Sequence, residues 1–247
     1  MKESWKIATL GGAAGAIAAL AVLFGLPALG LTPPGTANGT AIRNYLMAHP
    51  SVIVDATSKL QADEDAAQDA AQQAAVDKLG IKPFLDPRLA FVVGPANAKT
   101  TIVEFFDYNC PYCRASLPTV KKFLETNKNA RFAFIEFPIK GRLSIVAARA
   151  GMAARLQPNK YIAFHIALMN EQSAVDENTV YADAEKVGLD VAKLKADMKS
   201  SSIDLALAAS HTLAQAANID GTPAFIVNGK VREGALDDDS LKQMLKG

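Results

Sequence analysis

Cysteine is scarce in this 247-residue chain, which has only two, and histidine is almost as rare, with three. A tetrahedral zinc site needs four ligands. His49, His165 and His211 show no partnering spacing to one another or to the cysteines, so no zinc, and no other cofactor, is expected. The net charge is also small, +1 at pH 7. The composition therefore does not indicate nucleic acid or an anionic lipid surface as a partner.

Charged residues are missing altogether from residues 7–31. As a helix this segment would span roughly 37 Å, which is enough to cross a bilayer. Lys2 and Lys6 precede it, so the positive-inside rule places everything after it outside the cytoplasm. Ala28-Leu29-Gly30 allows a cleaved signal peptide instead, but the length of the run favours an uncleaved anchor. In either case the chain reaches a compartment in which disulfides form.

A single tetrapeptide, Cys110-Pro111-Tyr112-Cys113, contains both cysteines and follows the apolar run of residues 101–106. This spacing is typical of a redox-active dithiol, because the second thiol can displace a substrate from the mixed disulfide that the first thiol forms. A structural disulfide is the alternative, but so short a loop gains little chain entropy. The tetrapeptide therefore predicts thiol-disulfide chemistry.

The order of residues in the tetrapeptide gives the two thiols different roles. Pro111 suits the first position of a helix, which would place Cys110 at the N-cap, where unpaired N–H groups and the helix dipole favour a thiolate. We expect Cys110 to be an exposed nucleophile and Cys113, on the first turn, to be the less accessible resolving thiol. Tyr112 should tune the reactivity of the two thiols. It lacks the charge with which a histidine would lower the pKa of Cys110.

Two helices are predicted ahead of the main domain. Residues 32–39 combine proline with small polar residues and indicate a linker. A short helix over residues 42–49 should end before Pro50, and a longer helix should follow over residues 51–79. Alanine pairs recur in this second helix every four residues. Such a narrow stripe suits association between subunits, with a solvated helix lying on the main domain as the alternative.

The rest of the chain has the alternating pattern of an α/β domain. The predicted strand at residues 100–106, a helix that begins at the dithiol, and the predicted strand at residues 130–139 form a parallel crossover unit. Residues 144–217 are almost wholly helical in character, and a hairpin with its turn at Asn228-Gly229 follows. The predicted strands are residues 91–94, 100–106, 130–139 and 223–227, and a last helix covers residues 241–246 after the capping residues 237–240.

Several motifs together resemble the DsbA-like disulfide oxidoreductases of the thioredoxin superfamily. They are residues 104–113, the large helical insertion and Gly221-Thr222-Pro223-Ala224-Phe225. Residues 136–138, 161–165 and 42–50 are similar, more narrowly, to ScsC-type proteins of the bacterial envelope. The resemblance covers about residues 41–247.

The resemblance implies an α/β thioredoxin-like fold with a large helical insertion. Together with the uncharged N-terminal run and the linker composition, it predicts an N-terminal membrane helix or signal peptide, a linker with a helical oligomerisation segment, and a DsbA-like domain. These correspond to residues 1–31, 32–85 and 86–247, with the insertion at about 141–218.

The resemblance also implies roles for residues near the dithiol. Pro223 matches the cis-proline that faces the dithiol and leaves a backbone edge for substrate, although a plain turn would also fit Thr222-Pro223. Thr222 matches the position that tunes redox potential and partner choice, and it resembles the isomerase-like pattern. Pro111 and Tyr112 are expected to contact substrate beside it.

Glu104 matches a buried acid that moves protons to and from Cys113. A carboxylate inside an apolar strand is costly to bury without such a task, and a charge on an edge strand is the alternative. Glu136 lies in a similar setting and is interpreted as structural, because nothing ties it to the sulfurs. His165 is interpreted as a packing residue.

Three functions fit these features. The first is an oligomeric, periplasmic disulfide isomerase or reductase that acts on exported cysteine-containing proteins and depends on a membrane redox partner. The second is a DsbA-type thiol oxidase, which needs no oligomer. The third is a Cu(I)-binding protein of copper tolerance, because Cu(I) accepts two sulfur ligands.

Overall fold

The computed structural model describes residues 34–157 and 159–246, and the chain forms two units, Met1–Glu64 and Asp65–Gly247. The membrane helix or signal peptide predicted at residues 7–31 lies outside the described residues. Within them, no helix has both the length and the apolar character that crossing a bilayer requires.

Two helices open the described chain, α1 (Pro34–Ala48) and α2 (Ser51–Leu79). The break before Pro50 and the bounds of α2 are as predicted, and Gly80 follows α2 in the left-handed conformation, with φ 64°. The linker prediction for residues 32–39 is wrong from Pro34 onward. Proline is compatible with the first turn of a helix, and a glycine such as Gly39 weakens a helix by only about 1 kcal/mol.

The first unit exposes large apolar side chains on both of its helical segments. They are Ile42, Tyr45, Met47, Val52, Ile53, Val54 and Leu60. Within this unit Lys59 and Asp63 form an ion pair at 2.9 Å, but such exposed pairs contribute little to stability. None of residues 38–64 is buried, so this described part of the unit presents an unusually apolar surface.

The second unit contains a mixed five-stranded sheet in the order β1-β3-β2-β4-β5. Parallel pairing joins β2 to β3, and the other pairs are antiparallel, which confirms the predicted crossover unit. Since β2 is the central strand, Glu104 is not an edge-strand charge, and that alternative is wrong. The strands are β1 (Ala90–Val93), β2 (Thr101–Phe106), β3 (Arg131–Glu136), β4 (Ala224–Val227) and β5 (Lys230–Glu233).

Helices cover both faces of the sheet and confirm the predicted helical insertion. A short 3-10 turn, Lys82–Leu85, leads into β1. The helices are α3 (Pro111–Thr126), α4 (Arg142–Ala154), α5 (Tyr161–Met169), α6 (Glu177–Lys186), α7 (Val191–Asp197), α8 (Ser201–Ala216) and α9 (Asp238–Lys246).

The pleat of the sheet decides which side chains can reach the dithiol. Side chains along a strand alternate between its two faces. Ile102 and Phe106 therefore join the core cluster that contains Cys110 and Cys113, whereas Val103 and Phe105 join the cluster on the opposite face. Glu104 lies between Ile102 and Phe106 in the alternation, so its carboxyl group is on the dithiol side.

The side chains of Gln72, Gln73 and Val76 hold the end of α2 on the domain. Val76 is buried in the second cluster. Gln73 bonds to the hairpin: its Nε2 donates to the Gly229 carbonyl at 2.9 Å, and its Oε1 accepts from the Val231 N–H at 3.0 Å. This amide acts as a short strand partner for the edge strand β5. The alanine pairs 66–67 and 70–71 remain exposed, so the stripe is not the surface on which α2 lies.

Candidate active site

Both cysteines lie at the start of α3, as the sequence predicts. Cys110 is the N-cap residue, with extended backbone angles of φ −85° and ψ 120°, and Pro111 occupies the first helical position. The Cys110 N–H donates to the Asp107 carbonyl at 3.0 Å. The two cysteines are free thiols, so the structure shows the reduced site.

The prediction that Cys110 is exposed is wrong. Its exposed fraction is 0%, whereas the side chain of Tyr112 beside it is 64% exposed. The Thr222 carbonyl oxygen lies 3.0 Å from Cys110 Sγ and accepts the thiol proton. A backbone segment that is remote in sequence therefore covers the sulfur, which an argument from the helix N-terminus alone does not anticipate. Cys113 is buried as expected.

The covering segment contains the cis peptide bond Thr222–Pro223. This confirms the predicted cis-proline opposite the dithiol. Pro223 directly precedes β4 at Ala224, and β4 pairs with the central strand β2. The sheet thus holds Thr222 over the N-terminus of α3, while Pro111 and Tyr112 remain exposed at the rim.

Hydrogen bonds give the two thiols opposite acidities. The pKa of Cys110 falls to about 5, chiefly because the Cys113 thiol donates to its sulfur, and the Thr222 side chain and the backbone N–H groups of Cys113 and Tyr112 lower it further against the effect of burial. Burial, together with Cys110 and Glu104, raises the pKa of Cys113 far above its ordinary value. At neutral pH the site therefore holds one nucleophilic thiolate and one thiol.

Glu104 is buried on the dithiol side of the sheet, with an exposed fraction of 2%. Its Oε2 atom has no hydrogen-bond partner among the described residues. Burial raises the pKa of Glu104 to about 8, so the carboxyl group is mainly protonated at neutral pH and can lose its proton just above it. The burial of Glu104 is confirmed, and its proton-transfer role stays a prediction.

The three residues between β2 and the dithiol are each tied to a different part of the chain, which the sequence analysis missed. Asp107 Oδ2 accepts from the Ile139 N–H at 2.8 Å and the Lys140 N–H at 2.9 Å. Asn109 Oδ1 accepts from the Val175 N–H at 2.7 Å. Tyr108 lies between them and points into the core. The signal that could have revealed these anchors is the change from apolar to polar side chains directly after a buried strand.

Tyr108, Glu136 and His165 form a buried polar cluster behind the dithiol. The Tyr108 hydroxyl donates to Glu136 Oε1 at 3.2 Å and lies 3.4 Å from His165 Nδ1. Burial raises the pKa of Glu136 well above its ordinary value and lowers the pKa of His165 to about 3. A Cβ atom on Gly151 would lie against this cluster, 2.7 Å from the Tyr108 hydroxyl. The cluster agrees with a packing role for His165 and a structural role for Glu136.

The geometry does not support a metal site that is built from three or more ligands. Among residues 34–157 and 159–246, no group of three or more His, Cys, Asp or Glu side chains is arranged to hold a metal ion.

We expect iodoacetamide alkylation of Cys110 to follow a thiolate titration with a midpoint near pH 5. Because the Cys113 thiol is the largest cause of this low value, Cys113→Ala should raise the midpoint by about one unit or more. Cys113→Ser keeps a hydrogen-bond donor and should raise it less. The measurement is the alkylation rate against pH, and equal midpoints for the two variants would contradict the assigned cause.

Comparisons with known proteins agree with this geometry. The family described as thioredoxin matches residues 89–247, and the family described as the copper resistance protein ScsC N-terminal domain matches residues 39–67. The structure of a thioredoxin-like oxidoreductase from Silicibacter pomeroyi is 39% identical, with a TM-score of 0.63 over 67% of this chain and 95% of the relative. A periplasmic thioredoxin-like protein from Salmonella enterica is 25% identical, with a TM-score of 0.57 over 66% of this chain and 92% of the relative.

Curated relatives include proteins much longer than this chain. The chain spans about a quarter, 24%, of the Na(+)/H(+) antiporter NhaA 1 of Salinispora arenicola, with 28% identity over 159 residues that make up 64% of the chain. Disulfide bond formation protein D of Bacillus subtilis is 28% identical over 169 residues, which cover 63% of this chain and 75% of the relative. Together with the cis-proline and the dithiol, the family match shows that this chain belongs to the thioredoxin superfamily, among its DsbA- and ScsC-like members.

Proposed function

We propose that this protein is a thiol-disulfide oxidoreductase of the bacterial periplasm that acts mainly as a disulfide isomerase or reductase on exported proteins. The observation that carries the proposal is the difference between the thiols: Cys110, against the Thr222 carbonyl, has a pKa of about 5, and Cys113 stays protonated. The relatives named as an oxidoreductase and as a periplasmic protein support the activity and the location. The uncharged residues 7–31 support export and tethering to the inner membrane, with a cleaved signal peptide as the alternative.

The first step is the same for isomerisation and reduction. The Cys110 thiolate attacks one sulfur of a substrate disulfide, the S–S bond breaks, and the other substrate sulfur leaves as a thiolate. In isomerisation, a substrate thiolate then attacks the mixed disulfide and releases the Cys110 thiolate, with no net oxidation. In reduction, Cys113 loses its proton and attacks Cys110, which forms the Cys110–Cys113 disulfide and releases reduced substrate. A membrane redox partner must then return two electrons to the site.

The buried proton of Cys113 decides between these two routes. Cys113 cannot resolve the mixed disulfide until a base accepts its proton, and its high pKa disfavours that transfer. Glu104 is the buried carboxyl group that interacts electrostatically with Cys113. We assign the ionised form of Glu104 as the proton acceptor. Release of the substrate by attack of Cys113 on the mixed disulfide therefore becomes faster as the pH approaches 8.

Substrate is expected to bind beside the cis-proline. The backbone of Thr222 and Pro223 offers an edge to which an extended peptide adds as a strand. Pro111 and Tyr112 are exposed at the same rim and supply apolar contact. Because recognition relies mainly on the backbone, a broad set of exported cysteine-containing proteins fits this surface.

The first unit favours isomerisation over simple oxidation. Its exposed apolar residues, including Ile53 and Leu60, together with the match to the ScsC N-terminal domain, support a homo-oligomer formed through residues 34–64. Several dithiol sites in one assembly can hold a misfolded substrate while its disulfides are exchanged.

A DsbA-type thiol oxidase is the second candidate, favoured by the low pKa of Cys110. Stabilising the thiolate stabilises the reduced protein and therefore makes the disulfide more oxidising. The relative named disulfide bond formation protein D points the same way. The redox state in cells separates the candidates, because an oxidase is kept oxidised and an isomerase is kept reduced.

Removing residues 39–64 tests the isomerase proposal. The truncated chain keeps Gln72 and Val76, which contact the domain. We expect the full chain to restore activity to a scrambled multi-disulfide protein and the truncated chain to lose this ability, while oxidation of a two-cysteine peptide persists. Ile53→Ser combined with Leu60→Ser should have the same effect, and Ser58→Ala on the same exposed helix should have none. Full isomerase activity after truncation would remove the proposal, as would a fully oxidised dithiol in cells.

Glu104→Gln tests the buried proton acceptor. The raised pKa stabilises the folded protein below the ordinary value of 4.5, and this contribution is lost as the pH rises toward about 8. Between these values the unfolding free energy of the wild type should fall relative to the variant by up to about 1.4 kcal/mol per pH unit. The variant should also resolve a mixed disulfide through Cys113 more slowly. Parallel stability curves in chemical denaturation would show that Glu104 is not held protonated.

Copper binding at the same dithiol follows from the two thiols and from the name of the matched N-terminal family. Cu(I) is a soft ion that accepts two sulfur ligands. Anaerobic titration should then show one Cu(I) per dithiol, and Cys110→Ser should abolish binding. Unchanged binding in that variant would place the copper elsewhere.

A further inference from the structure

The buried face of α2 carries a polar side chain that the dithiol chemistry does not use. Gln72 is only 3% exposed. Its Nε2 atom donates to the Asn218 carbonyl at 2.9 Å and to Glu233 Oε1 at 2.7 Å. Gln68, one turn earlier, is exposed. A buried amide that is hydrogen-bonded to a carboxylate contributes more than an ordinary surface contact.

Glu233 connects this amide to the chain that enters the cis-proline segment. Its Oε1 atom also accepts from the Asp220 N–H at 3.3 Å. Its Oε2 atom lies 2.7 Å from the position that a Cβ atom on Gly221 would occupy. The carboxylate therefore lies directly against the backbone of residues 220–221, which precede Thr222.

The residues that follow Thr222 also bond to the end of β5. The Gly234 N–H donates to the Pro223 carbonyl at 2.9 Å, and Glu233 pairs with Ala224 in the β4–β5 ladder. Glu233 and its neighbour therefore contact the segment both before and after Thr222. The position of Thr222, whose carbonyl oxygen lies against Cys110 Sγ and whose side chain helps to lower the pKa of Cys110, depends on where the end of β5 lies.

We propose that Gln72 and Glu233 are positioning residues that couple the docking of α2 to the placement of Thr222 over Cys110. A displacement of α2 removes the Gln72 bond, releases Glu233 from one of its two donors and loosens residues 220–222. A shift of α2 is then able to alter the reactivity of the nucleophile.

The inference rests on the proposed function only in taking Cys110 as the reacting thiol. Alkylation by iodoacetamide reports on this thiol without a substrate disulfide. A negative result for the coupling is therefore distinguishable from a failure of the isomerase or oxidase proposal.

The test compares the full-length wild type with Gln72→Ala, Glu233→Ala and Glu233→Gln, with Gln68→Ala as the matched control on the same helix. Loss of the Gln72 bond should move the pH midpoint of Cys110 alkylation upward by about half a unit, because the Thr222 side chain, which belongs to the loosened segment, contributes to the low pKa. At pH values below the midpoint this shift lowers the alkylation rate by about threefold. Glu233→Ala should give a shift at least as large. Glu233→Gln keeps an acceptor oxygen and should restore most of the wild-type profile.

Gln68→Ala should leave the profile unchanged. Gln73→Ala, which removes the bond to Gly229 and Val231, separates docking from coupling and should shift the midpoint less than Gln72→Ala. If Gln72→Ala lowers only the melting temperature and keeps the wild-type alkylation profile, Gln72 merely fastens the helix and the proposal is overturned. Should Glu233→Ala fail to fold, the contrast between Gln72→Ala and Gln68→Ala decides alone.

Discussion

The close approach of Thr222 to Cys110 is the contact on which the site depends. It joins residues that are 112 positions apart, with the whole helical insertion between them in the sequence. The sheet makes the contact possible because β4, which follows Pro223, pairs directly with β2, which precedes the dithiol. The N-terminus of α3 supplies N–H donors, but the opposite wall comes from the other end of the domain.

Burial favours the neutral form of several ionisable groups near this contact. The same loss of water raises the pKa of Glu104 and Cys113 and lowers the pKa of His165. Cys110 differs because hydrogen-bond donors converge on its sulfur and outweigh burial. A negative charge is thereby stabilised on Cys110, while Cys113 beside it keeps its proton.

Much of the fold could be predicted from local pattern, and the errors have physical causes. The bounds of α2, the crossover of β2 and β3 and the turn at Asn228-Gly229 follow from periodicity, capping and turn chemistry, which act within a few residues. The exposure of Cys110 could not be predicted in this way, because the group that covers it comes from a distant segment. The anchors at Asp107 and Asn109 were missed for the same reason, since their partners lie 32 and 66 positions away.

The second helix shows how one element can serve two surfaces. An edge strand such as β5 must be covered or it invites pairing with other chains, and the Gln73 amide bonds to the Val231 N–H of this strand and to the Gly229 carbonyl of the turn before it. That requirement fixes which side of α2 faces the domain and leaves the alanine pairs on the outer side. The residues that protect this edge thereby leave the alanine pairs 66–67 and 70–71 exposed. Gln72 lies on the side of α2 that faces the domain and bonds to Glu233. A displacement of α2 therefore acts on the segment that covers the nucleophile.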